Sequence, residues 1–73
     1  MTERRYDDEM YKAHAIRVLA ERYDSSSAWT IEVHIQAPDG SHLPTIRDSD
    51  HSYPTLETAF SAGSELGRQV VDS

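Results

Sequence analysis

Trp29-Thr-Ile-Glu-Val-His-Ile-Gln36 alternates without a break: Trp29, Ile31, Val33 and Ile35 are apolar, and Thr30, Glu32, His34 and Gln36 are polar. Successive side chains of a strand point to opposite faces, so this period sets four large apolar groups on one side. Tryptophan, isoleucine and valine also favour the pleated backbone. The stretch predicts a half-buried β-strand, and the neighbouring segments are read by how they fit against it.

Residues 10–22 admit two readings. As a helix, Met10, Tyr11, His14, Ala15, Val18 and Leu19 form a stripe, with Asp7 to Glu9 at the favourable end of the dipole. As a strand, Ile16, Val18 and Ala20 face one way and Ala15, Arg17, Leu19 and Glu21 the other. The strand fits its neighbour. An antiparallel hairpin about Ser25-Ser26 brings Ile16 opposite Ile35, Val18 opposite Val33, Ala20 opposite Ile31 and Arg22 opposite Trp29. Apolar meets apolar on one face, and the stem of Arg22 can lie across the indole. A slip of one residue would destroy the match, so the hairpin reading specifies its own register.

Pro38-Asp39-Gly40-Ser41 has the chemistry of a turn. A third strand is expected over Leu43, Thr45 and Arg47, confined to an edge because Pro44 cannot donate to a ladder. Asp48-Ser-Asp-His-Ser52 reads as a polar loop, and residues 1–9 as a flexible charged lead-in. A helix then follows, capped by Thr55, with Glu57 in its first turn. Leu56, Ala59, Phe60, Gly63, Leu66, Gly67, Val70 and Val71 line its apolar face. The expected fold class is α+β: a single domain over 10–73, a three-stranded antiparallel meander with one C-terminal helix across the face of Ile16, Val18, Trp29, Ile31, Val33 and Ile35.

The chain of 73 residues is 37% hydrophobic and has no cysteine. One sheet face against one helix is about all the core it can build, with neither disulfides nor a thiolate metal site to help. A reducing, cytoplasmic setting fits this, and self-association is a natural supplement to so small a core. Seven Lys+Arg against thirteen Asp+Glu leave a net charge of −6. The cations are scattered, which disfavours binding to a phosphate backbone. The N-terminus has no apolar h-region, so no secretory signal is expected, and no apolar run nears the length of a membrane span.

The order of these elements resembles that of a group of small, uncharacterised bacterial proteins. The resemblance is carried by Ile16-Arg-Val-Leu-Ala-Glu21, Trp29-Thr-Ile-Glu-Val33, Pro38-Asp-Gly40, Thr55-Leu-Glu-Thr-Ala59 and Leu66-Gly-Arg-Gln-Val-Val-Asp72, and it covers residues 14–72. It implies a β-β-β-α order and transfers no activity.

Motifs for chemistry are sparse. Asp48-x-Asp50-His51 supplies ligand types, but consecutive loop residues rarely converge, and His14, His34, His42 and His51 form no spaced ligand pair. Ser25, Ser26, Ser27 and Ser52 have no elbow or oxyanion loop around them. No metal, cofactor or catalytic role is assigned, and the chain reads as a non-enzyme. Gly63-x-x-x-Gly67 needs a reason inside a helix: either a helix–helix contact across a dimer or a close approach of the helix to the sheet, over Trp29. The other polar-edged feature is the outer sheet face. The candidate interaction surface is therefore Arg17, Leu19, Glu32 and His34 on that face, with Gly63 and Gly67 on the helix. The expected role is a protein-interaction or dimerisation module, acting on a protein partner or a second copy. The alternative is a small nucleic-acid-associated regulator.

Overall fold

A computed structural model describes residues 2–73, Ser49 by its backbone alone. Four antiparallel strands, β1 (Glu3–Tyr11), β2 (His14–Arg22), β3 (Trp29–Gln36) and β4 (Ile46–Tyr53), lie in sequential order and precede a single helix, α1 (Leu56–Asp72). The α+β class stands, but the sheet has four strands where three are expected. Residues 10–22 are strand on both sides of a turn, not helix.

The β2–β3 register is the one the alternation dictates: Ile16 faces Ile35, Val18 faces Val33 and Ala20 faces Ile31. These six residues are almost wholly buried, together with Trp29 and Ala59. Full burial of a branched apolar side chain stabilises by about 1.5–3 kcal/mol, so this layer carries most of the fold. Arg22 ends β2 with its guanidinium carbon 4.4 Å from the centre of the Trp29 ring.

Two departures concern the edges. Residues 3–9 form β1, not a flexible lead-in; Met1 lies outside the described residues. Six of the nine positions of β1 are charged, which hides its period from a hydrophobic pattern. As an edge strand it packs on one side only, and charge there guards against unwanted pairing. The β1–β2 turn is Lys12-Ala13, both with positive φ, 49° and 65°. This pair of left-handed residues is the two-residue hairpin turn whose twist matches the strands it joins.

At the other edge, the third expected strand is displaced. Leu43, Pro44 and Thr45 are not strand; His42 makes an isolated bridge to Gln36, and β4 runs through the stretch expected as loop. Pro44 explains the late start, since it has no N–H for the ladder. The ladder to β3 is irregular: Ile31 pairs with Asp48 but Trp29 with Tyr53, so two steps on β3 match five on β4. This bulge gives Asp48 the hydroxyl of Tyr53 (3.1 Å) and the Nδ1 of His51 (2.8 Å) as neighbours.

Helix α1 begins with Thr55 and Thr58 capping each other's backbone N–H groups. Its glycines sit directly on the sheet. A Cβ on Gly67 would stand 2.7 Å from Cγ2 of Ile16, and one on Gly63 would strike Cγ1 of Val18. The close approach is thus over β2, not Trp29. At the far side, α1 reaches β1 through polar groups: Arg68 Nη2 and Ser64 Oγ donate to Glu9, and Tyr11 Oη and Lys12 Nζ donate to Asp72. Among the described residues no helix is long and apolar enough to cross a membrane.

Candidate interaction surface

The face of the sheet opposite α1 is built in rows by the strand registers. Arg4, Glu21 and Thr30 form one row; Tyr6, Leu19, Glu32 and Arg47 the next; Asp8, Arg17 and His34 a third; Met10, Ala15 and Gln36 the last. Four residues of the sequence-derived surface, Arg17, Leu19, Glu32 and His34, stand together at its centre. Gly63 and Gly67 do not belong to it. They are buried on the opposite side of the sheet, against Val18 and Ile16, and offer no surface in the folded chain.

Charge on this face is cancelled locally. Arg17 makes a two-pronged pair with Asp8 (Nε–Oδ1 2.7 Å, Nη2–Oδ2 3.1 Å). Arg4 Nε donates to Glu21 (2.8 Å), and Arg47 Nε donates to Glu32 (3.2 Å), which also has His34 Nε2 at 3.5 Å. The hydrogen bonds from Arg17 hold the Asp8 carboxyl below its ordinary value, against a smaller desolvation effect. In return they push the Arg17 guanidinium up. Three arginines thus balance three carboxylates, so the face is close to neutral on a chain of net charge −6. Two of the large exposed hydrophobics, Tyr6 (57% exposed) and Met10 (70%), stand on this face; Tyr23 is the third among the described residues. The guanidinium of Arg17 lies 5.6 Å from the centre of the Tyr6 ring. Toward one end, a shallow depression of about 500 Å³ is bordered by Asp8, Met10, Arg17, His34, Gln36 and His42.

Compared with family models, curated proteins and solved structures, the chain matches none.

What this face can do therefore follows from its own chemistry. It is flat, mixed and amphipathic, with long side chains already held by neighbours across the strands, so little ordering is left for a partner to impose. Among the described residues no three His, Asp or Glu side chains converge as a metal site would require. Asp48 is instead occupied by His51 and Tyr53. Asp24 accepts from the N–H and hydroxyl of Ser26 and from the hydroxyl of Ser27, which makes this serine run a tight turn.

Sequence reasoning misses Arg4, Tyr6 and Asp8, because residues 1–9 read as a flexible lead-in, and it leaves Met10 and Arg47 off the surface, because their strands begin elsewhere than expected. The signal was there: in Arg4-x-Tyr6-x-Asp8-x-Met10 the two apolar residues of the stretch share one parity. The tyrosines do not all close the core, as their positions at segment ends suggest. Tyr11 and Tyr53 pack against it, whereas Tyr6 and Tyr23 stand in solvent.

Proposed function

We propose that this chain is a non-enzymatic protein-interaction module of the cytoplasm, and that its working surface is the open sheet face centred on Tyr6, Leu19 and Arg17. The resemblance to small uncharacterised bacterial proteins fits a domain of this kind and adds no activity to it. The observation that carries the reading is the neutral, amphipathic face on a strongly acidic chain. A protein surface of mixed character can settle there with little net repulsion and cover Leu19, Tyr6 and Met10. A nucleic acid is disfavoured as the occupant. Its phosphates would have to displace Asp8, Glu21 and Glu32 from Arg17, Arg4 and Arg47 while approaching an acidic body.

The test is affinity capture from the native cytoplasm with three forms of the chain: the natural one, Leu19→Glu, and Glu65→Arg on the exposed side of α1. The reading expects a protein bound by the natural chain and by Glu65→Arg and lost with Leu19→Glu, at unchanged melting temperature. Equal capture by all three forms would overturn it. So would binding to a generic duplex that falls steeply with salt, which is the mark of phosphate contacts.

A further inference from the structure

Among the described residues, strand β1 pairs with β2 on one side and with no strand on the other. The direction of its free groups can be read from across the sheet. Leu43 N–H donates to the carbonyl of Ile35, so Ile35 turns its backbone groups away from β2. Alternation along β3 then points His34 and Glu32 at Arg17 and Leu19, and turns Ile16, Val18 and Ala20 toward Glu9, Asp7 and Arg5 of β1. The N–H and C=O groups of Arg4, Tyr6, Asp8 and Met10 are left directed off the edge. The tight turn at Lys12-Ala13 agrees, since it makes Tyr11 and His14 a hydrogen-bonded pair.

From Arg4 to Glu9 the side chains along this edge are segregated by sign. Arg4 and Arg5 come before Tyr6, and Asp7, Asp8 and Glu9 after it. Such a strand is complementary to itself in reverse. We propose that two copies of this chain join through their β1 edges, antiparallel, with Tyr6 of one opposite Tyr6 of the other, into one continuous sheet. Tyr6 is among the residues whose backbone groups point outward, so it can exchange both hydrogen bonds with its twin on the two-fold axis. Arg4 then faces the second copy's Asp8, and Arg5 its Asp7; symmetry repeats both pairs.

Asp7 has no ion-pair partner among the described residues, and the one carboxylate near Arg5 is Glu3, at 3.6 Å, while its Nη1 donates to the carbonyl of Arg4 (2.9 Å), a contact the second copy's Asp8 N–H would replace. The pairing supplies Asp7 and Arg5 with each other. It also extends a row of alternating sign across the junction, from Glu21 through Arg4 to the second copy's Asp8 and Arg17. The one like-charged match is Glu3 with the second copy's Glu9. Both are already neutralised within their own chain, by Arg22 (2.9 Å) and by Arg68 (2.8 Å). Sliding the register two residues either way places Arg5 opposite Arg5 or Asp7 opposite Asp7, so charge selects the register centred on Tyr6. The contact engages the open face only at its β1 margin and leaves Leu19, Arg17, Glu32 and His34 uncovered, so the two readings can fail separately.

Sedimentation of the full chain over a wide concentration range is the first measurement, with a reversible monomer–dimer equilibrium expected. Reversing Arg4→Asp with Arg5→Asp, or Asp7→Arg with Asp8→Arg, should weaken self-association by about tenfold or more. Mixing the two variants should restore a dimer containing one of each, because the pairs at positions 4, 5, 7 and 8 are again of opposite sign. This rescue distinguishes lost pairing from a lost fold. Register is read separately: the chain has no cysteine, and Tyr6→Cys should form an interchain disulfide under mild oxidation, whereas Met10→Cys should not. A chain that stays monomeric at all concentrations would overturn the proposal. A dimer indifferent to both reversals, or one cross-linked equally through position 10, would also overturn it.

Discussion

Gly63 rests on the side chain of Val18 with no room for so much as a methyl group between helix and strand. Gly63→Ala gains helix propensity of about 1 kcal/mol but forces α1 off the sheet, and overpacking of this kind costs about 1–3 kcal/mol. The prediction is a net loss of up to about 2 kcal/mol in urea denaturation. In a Val18→Ala background the same substitution should cost less, because the atoms it strikes are gone; equal losses in both backgrounds would refute the contact.

The Lys12-Ala13 turn holds two residues with side chains in the left-handed region, which costs about 1–2 kcal/mol for each. Ala13→Gly removes that penalty at one of them. It should raise stability by about 1 kcal/mol and raise the thermal midpoint, with Lys12 still able to reach Asp72.

The polar clamp between β1 and α1 should open in acid. Burial pushes Glu9 up, but hydrogen bonds from Ser64 and Arg68 outweigh it and hold the carboxyl below 4.5. Lys12 and Tyr11 likewise hold Asp72 below 3.8. A carboxyl depressed in the folded state stabilises fully above its unfolded value and loses that contribution as pH falls through the folded one. The clamp is therefore intact at neutral pH and weakens below about pH 4. Protection of β1 amides, taken relative to their intrinsic exchange rates, should fall there before that of β3, and Glu9→Gln should make the fall less dependent on pH.

Arg22 covers the Trp29 ring while its Nη2 binds Glu3 at 2.9 Å. Arg22→Ala should cost about 1 kcal/mol and shift the emission of the chain's single tryptophan toward the red as water reaches the indole. Arg22→Lys should recover part of both.

What could be read in the sequence is the part where burial writes a period. β2, β3 and α1 present apolar groups at steps of two or of three and four, and their register and packing face follow from that alone. β1 and β4 are edge strands. Their side chains answer to neighbours such as Arg17, Glu21, Glu32 and Arg68, which lie on other elements, so no local pattern announces them. For the same reason the centre of the open face, Arg17, Leu19, Glu32 and His34, is visible in sequence, and its borders at Tyr6, Met10 and Arg47 are not. Gly63 and Gly67 show a further limit. Their spacing announces a close approach without saying to what, and the answer is the fully buried pair Ile16 and Val18.

The irregular ladder on β4 bears on how large an assembly can grow. An edge that offered an even run of free amides would accept another chain, and two-fold joining through β1 would leave one such edge at each end, ready to seed a fibre. The five residues spanned on β4 against two on β3 break that run, and Pro44 removes a donor just before it. Growth is blocked at the outer margins, so an assembly begun at β1 terminates at two chains.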